Sequence, residues 1–332
     1  MPKSLKIFLG LSALIFVAML VDMAGPVRLA TRVYRPFVGM GMQAVLTQLA
    51  SLSGAAFECV TALTMLLLAG LAVRPRLRGA RAIFIALTGY FALTGLLTQA
   101  YFVFGMHADF SEMGRAIAFM SGSDAMRFAP YVQLALPILQ LSAIVLLIVG
   151  ASRTWFETAS PDTTAYENCT TMPLAVKLAA AACVVIVIGL TWEYFGKEAF
   201  VEHRLLASPY PQSAAVFLSR RLFLVLLIEK TAVILALGVL VAFFRLGWSR
   251  WMFMAVLGYF ALQALITEGF VFPVIIDSFR TMPGLPLYAI LTPYAILCTP
   301  VVSAVAVLLL MLPGSRAWFA TARLGDHQAA GN

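Results

Sequence analysis

Apolar residues along this chain come in runs of about twenty, broken by short polar stretches. A transmembrane helix needs about 20 apolar residues to cross roughly 30 Å of hydrocarbon. Eight runs meet that need, at 5–24, 51–73, 82–104, 129–150, 174–195, 222–244, 251–272 and 288–312. The pattern predicts an all-α, polytopic membrane protein with eight transmembrane helices. The first run follows Lys3 and Lys6, as in a signal peptide. No small-x-small cleavage site follows it, and Asp22-Met-Ala-Gly reads as the end of a span, so the run is expected to stay in the mature protein.

The polar and apolar pattern also repeats. Residues 89–101 read GYFALTGLLTQAY, and residues 258–270 read GYFALQALITEGF. The echo extends in both directions. Lys6, Asp22, Gly25, Glu58 and Arg74 match Lys177, Glu193, Gly196, Glu229 and Arg245, each 171 positions on. Tyr90 and Thr98 match Tyr259 and Thr267 at 169, and Pro130-Tyr131 and Pro137 match Pro293-Tyr294 and Pro300 at 163. SRTWF at 152–156 returns as SRAWF at 315–319. The offset changes only across expected loops, as duplication followed by loop trimming would leave it. The reading is a four-span repeat at 1–156, a cytoplasmic linker at 157–172, a second four-span repeat at 173–320 and a polar tail at 321–332. Four spans is an even number, so the two repeats are expected to be parallel, related by an axis along the membrane normal.

Composition agrees with the pattern. The chain is 62% hydrophobic and 11% charged, against about 25% charged in a soluble domain. The net charge of +8 is then loop charge facing anionic headgroups. No basic, aromatic-interleaved face points to nucleic acid. Arg74, Arg76, Arg78 and Arg81 between spans 2 and 3, with Arg245 and Arg250 in the matching link, place those links and both termini in the cytoplasm. Lys3, Lys6, Arg316 and Arg323 agree. The loops at 25–50, 105–128, 196–221 and 273–287 then face outward. Arg28, Arg32 and Arg35 in the first of them share one helical face. They read as an interfacial arginine face or an anionic ligand site.

Within the spans, ionisable residues are the candidates for chemistry, because a carboxylate at such depth is costly, about 2.5–3.5 kcal/mol on insertion scales. Glu58 and Glu229 lie early in spans 2 and 6. They read either as proton, ion or substrate ligands or as structural hydrogen-bonding groups. Lys230 follows Glu229, and its counterpart is Cys59. Glu268 replaces Gln99, so the second repeat has gained one cation and one anion, and their pairing between spans 6 and 7 is an expectation. Thr98, Gln99 and Thr267 complete the intramembrane polar set. Asp22 and Glu193 close spans 1 and 5 at the outer rim, where Arg220 and Arg221 open span 6, and rim ion pairs are expected there. Pro137 and Pro300 lie inside spans 4 and 8 and predict kinks.

Several chemistries are missing. His107, His203 and His327 all lie outside the spans, which excludes a haem held between two in-span histidines. Neither GxxxxGK[ST] nor HExxH occurs, nor a nucleophile elbow. The cysteines, Cys59, Cys169, Cys183 and Cys298, show no CxxC spacing, and Asn168-Cys169-Thr170 is a lone sequon. No cofactor and no metal are expected, and no enzymatic machinery is visible.

Each repeat resembles the bacterial "predicted small integral membrane protein" family, a four-span module. The resemblance rests on LKIFLGLSALIF at the start, VYRPFVGMGM in the first outer loop, and an acid early in span 2, in FECVTAL and IEKTAV. The tandem fusion departs from it, and the second unit has no clear VYRPFVGM. The resemblance implies a four-helix unit in a bacterial inner membrane and brings no activity with it. Two functions stay open. One is an accessory, scaffold or binding subunit, whose partners are the lipid bilayer and other membrane-protein subunits. The other is a small-solute or proton-coupled transporter using Glu58 and Glu229.

Overall fold

The computed structural model describes residues 2–33, 42–74, 77–101, 127–148, 172–206, 214–243, 247–269 and 272–319, with isolated positions between 103 and 118. These residues form ten α-helices: α1 Lys3–Val33, α2 Met42–Ala72, α3 Arg78–Ala100, α4 Ala129–Ile148, α5 Leu174–Leu206, α6 Ala214–Phe243, α7 Gly247–Thr267, α8 Phe272–Thr281, α9 Leu287–Ile290 and α10 Thr292–Met311. No strand occurs among them. Residues 157–171 of the expected linker and the polar tail lie outside the described residues, as do Arg35, Arg76, His107, His327 and Cys169. Arg28 and Arg32 continue the backbone of α1.

Seven helices among the described residues are long and apolar enough to cross a membrane: Lys3–Asp22, Gly79–Ala100, Ala129–Ile148, Leu174–Phe200, Leu224–Phe243, Trp248–Thr267 and Thr292–Met311. The run at 51–73 falls in α2, where Ala56–Ala72 forms a shorter apolar stretch. In hydrocarbon the backbone must satisfy its own hydrogen bonds, and a helix does so within one segment. Side chains such as Ile7, Leu67, Ile138, Val184 and Leu308 point outward, as suits a lipid-facing surface.

The chain divides into two compact units, one centred on α1–α4 and one holding α5, α9, α10 and most of α6 and α7. In the first, α1 packs on α2 and α4, and α3 packs on α2 and α4, closing a four-helix bundle. Its core includes Phe8 and Phe84, whose rings meet edge to face at 5.2 Å. Pro137 lies inside α4. A Cβ on Gly95 of α3 would fall 2.6 Å from Pro137 Cγ, so the helices approach closely there.

In the second unit α5 and α10 form the most extensive pair. Gly189 lies on Thr299 and Gly196 on Thr292, so the two glycines, seven residues apart, face two threonines seven residues apart on the antiparallel neighbour. Small residues let helix backbones approach, which is how spans associate without a hydrophobic drive between them. One core cluster joins Ile186 of α5, Ile234 of α6, Phe253 of α7 and Leu310 of α10. Residues 313–319 are helical and place Trp318 and Phe319 in that cluster. The SRAWF motif therefore closes one end of the bundle, with Ser315 Oγ donating to Leu309 O at 2.9 Å.

The loop expected at 273–287 contains helix α8. Apolar Phe272, Ile276 and Phe279 recur at helical spacing, while Pro273, Asp277 and Arg280 are exposed. Phe279 stacks on Phe200 of α5, with centroids 4.3 Å apart. Gly284 follows in the left-handed region at φ 80, a conformation that glycine adopts without strain.

Candidate functional site

Polar side chains gather at one end of the first bundle. Asp22 ends the apolar part of α1 and is partly buried. Gln133 Nε2 of α4 donates to its Oδ1 at 2.5 Å. Glu58 of α2 lies within electrostatic reach of Asp22. Gln99 of α3 is buried, 8% exposed. Antiparallel packing of α3 on α4, fixed by Gly95 on Pro137, brings Gln99 level with Gln133. One polar residue from each helix thus forms a layer. Thr98 is partly buried beside it in sequence. A rim ion pair with Arg220 or Arg221 was expected for Asp22; those side chains lie outside the described residues, and among the described ones Gln133 is its partner. Neither Gln133 nor Gln140 stood out in the sequence, because a neutral amide in an apolar run gives no charge signal. Only the interhelical geometry gives them a role.

In the second unit Glu229 of α6 is buried, 4% exposed, whereas Glu58 is exposed. The two acids do not share one environment. Lys230 is partly buried, with Nζ 5.8 Å from the centroid of the Phe260 ring on α7, within range of a cation–π contact. Lys230 belongs to the second unit and Glu268, with Thr267, to the first. Glu193 pairs with Lys197 at 2.6 Å. The i, i+4 spacing stacks the two on one face of α5, and Lys197 is 44% exposed, so the pair adds little stability. The side chains of Arg220 and Arg221, expected at this rim, lie outside the described part of α6.

Arg250, read in the sequence as loop charge, is buried. Its guanidinium carbon lies 4.9 Å from the Trp251 ring centroid and 5.9 Å from that of Phe319. Planar, weakly hydrated guanidinium suits such stacking better than lysine does. On the flank of α5, Val187, Ile188, Thr191, Trp192, Phe195 and Tyr288 line an open apolar groove of about 350 Å³. Trp192 Nε1 donates to Tyr288 O at 2.8 Å in its wall. No group of three or more His, Cys, Asp or Glu side chains that could hold a metal occurs among the described residues.

Fold and site together are those of a multi-pass, all-helical membrane protein. No protein-family model matches the chain, and no curated protein or solved structure is significantly similar to it.

Proposed function

We propose that the protein is an accessory or binding subunit of a larger membrane complex in a bacterial inner membrane. The observation that carries this reading is Glu58. It sits in the apolar stretch Ala56–Ala72 and is exposed. A carboxylate exposed beside an apolar stretch, at the end of the bundle where Asp22 meets Gln133, is costly to leave against lipid, so a partner that covers it and offers a hydrogen bond would relieve the penalty. Tagged protein is expected to co-purify with defined membrane proteins, identified by mass spectrometry, and Glu58→Leu to release them without lowering the melting temperature. A chain that purifies alone in every mild detergent would count against the reading. Proton-coupled transport is the second reading, and the Asp22–Gln133 layer favours it.

The proposed architecture is eight spans in two parallel four-span repeats, resembling the small integral membrane protein family. Helix α2 has 31 residues, a reach of about 46 Å, enough for the eighth span. Burial supports the repeat. Leu5, Phe8, Ser12 and Ile15 are buried on α1, and so, 171 positions on, are Val176, Ala179, Cys183 and Ile186 on α5. Ser12 and Cys183 both donate to the carbonyl four residues back. Pro130, Pro137, Gln140, Ala143 and Leu147 are buried on α4, as are Pro293, Pro300, Ser303, Ala306 and Leu310, 163 on. On α2 and α6 the burial register is 172. Phe57, Ala62 and Ala69 match Glu229, Ile234 and Val241. By burial, Glu58 corresponds to Lys230, and the one-residue offset turns the two acids about 100° apart. For topology, reporters fused after Arg78 or Arg250 are expected to read as cytoplasmic, and those near residues 120 or 205 as exterior. The opposite pattern would overturn the orientation.

A further inference from the structure

Three buried polar atoms of the first bundle have no hydrogen-bond partner among the described residues: Thr88 Oγ1 and Gln99 Oε1 on α3, and Gln140 Oε1 on α4. Thr88 is 0% exposed and Gln140 1%. An orphaned polar group within hydrocarbon depth is costly unless water reaches it. These three are aligned. Gly89 lies 3.7 Å from Ile144 Cδ1 by its would-be Cβ, and Gly95 lies on Pro137, which fixes α3 antiparallel to α4. Thr88, Gly95 and Gln99 share one face of α3, and Gln133, Pro137 and Gln140 share one face of α4.

The depths agree from helix to helix. Gln140 lies seven residues from Gln133, about 10 Å deeper. Ser12 lies about 15 Å below Asp22, and Thr88 about 16 Å below Gln99. Ser12 and Thr88 are therefore level, and both line one small cavity of about 10 Å³ with Ile15, Met65 and Phe84. That is room for about one water. One turn further, the Phe8–Phe84 pair closes the bundle.

We propose that these groups form a hydrated polar path within the first bundle. It opens at Asp22 and Gln133, passes Gln140, and ends blind at Ser12 and Thr88 above the two phenylalanines. Water is its occupant, reaching the orphaned oxygens of Gln99, Gln140 and Thr88. Under the repeat reading the inner part of the path has no counterpart among the described residues of the second bundle. Ile296, Leu257 and Cys183 stand where Gln133, Thr88 and Ser12 stand in the first. Ser303, at the place of Gln140, donates to Thr299 O at 2.9 Å. The path is compatible with either proposed function, since it needs only that water reach one side of one bundle.

The test uses the full chain with Cys59, Cys169, Cys183 and Cys298 replaced by alanine, and silver ion as a water-sized thiol probe. Single cysteines are placed by Gln140→Cys, Thr88→Cys and, as a buried apolar control, Leu257→Cys. Thiols are counted after quenching and denaturation. Silver is expected to block the first two about tenfold or more faster than the third, because water-exposed thiols react and dry buried ones are inert. Equal, slow blocking at all three would overturn the path. Melting of Thr88→Val and Gln140→Leu in the native-cysteine chain supplies a second readout that needs no cysteine. Hydrated groups predict no rise in melting temperature. A rise of about 2–4 °C in both would mean that the groups are dry orphans, and would likewise overturn it.

Discussion

Gly196→Val is expected to unfold the second bundle, or nearly so. A Cβ at that position would lie 2.7 Å from Thr292 Cβ and 2.8 Å from Thr292 Cγ2. Both atoms are held close to the backbone of α10, so no flexible chain end can swing aside. Inserting methyl groups into a packed core costs about 1–3 kcal/mol and sometimes more. Valine adds three carbons at the tightest point of the α5–α10 pair, so a loss of about 3 kcal/mol or more is expected. Melting in detergent measures it. Gly196→Ala combined with Thr292→Gly should recover much of the loss, since the second change removes the Cβ and Cγ2 that clash. Gly10→Ala serves as the control, because nothing lies within 4 Å of its would-be Cβ. That change should stabilise by up to about 1 kcal/mol, the helix preference of alanine over glycine. Equal melting of Gly196→Val and the parent protein would refute the close packing of α5 on α10.

Glu229 gives the second large effect. It is buried on a spanning helix, and glutamine keeps its shape with both a donor and an acceptor. If the carboxyl group serves structure, Glu229→Gln should leave the melting temperature nearly unchanged. Glu229→Ala should cost about 1–3 kcal/mol, because whatever Glu229 bonds is left unsatisfied. A glutamine variant that melts like the parent but fails to restore a deletion phenotype would reverse this assignment. An amide cannot titrate, so loss of function with intact folding would mean that the acid moves a proton. The same pair of variants at Glu58 should behave differently. That side chain is exposed, so even alanine should leave the isolated chain as stable as before.

The helices were legible in the sequence because span length and apolar composition follow from bilayer thickness, which is a property of the solvent and not of the partner helices. Under the proposed repeat, Lys6 and Lys177, or Pro137 and Pro300, set registers of 171 and 163. The equivalence of Glu58 and Glu229 misled, because an alignment matches letters while burial matches angles. A shift of one residue leaves depth nearly unchanged, at about 1.5 Å, yet turns the side chain by about 100°. Helix α8 was hidden for another reason. At ten residues it is too short to register as a span, and it takes its support from Phe200, a contact no local pattern reveals. Arg250 looked like loop charge because the sequence does not show that the distant Phe319 comes beside it.

Helix α5 has 33 residues, about 50 Å of rod against a hydrocarbon slab of about 30 Å. A free helix of that length would lean over to hide its excess. This one is braced toward the end of its apolar stretch, by the Trp192–Tyr288 hydrogen bond and by Phe200 stacked on Phe279. Leaning would drag α8 and α9 toward the acyl chains. The excess therefore works as a collar, and a change in membrane thickness must be met by lipids stretching or compressing around the bundle, not by the helix changing its slope.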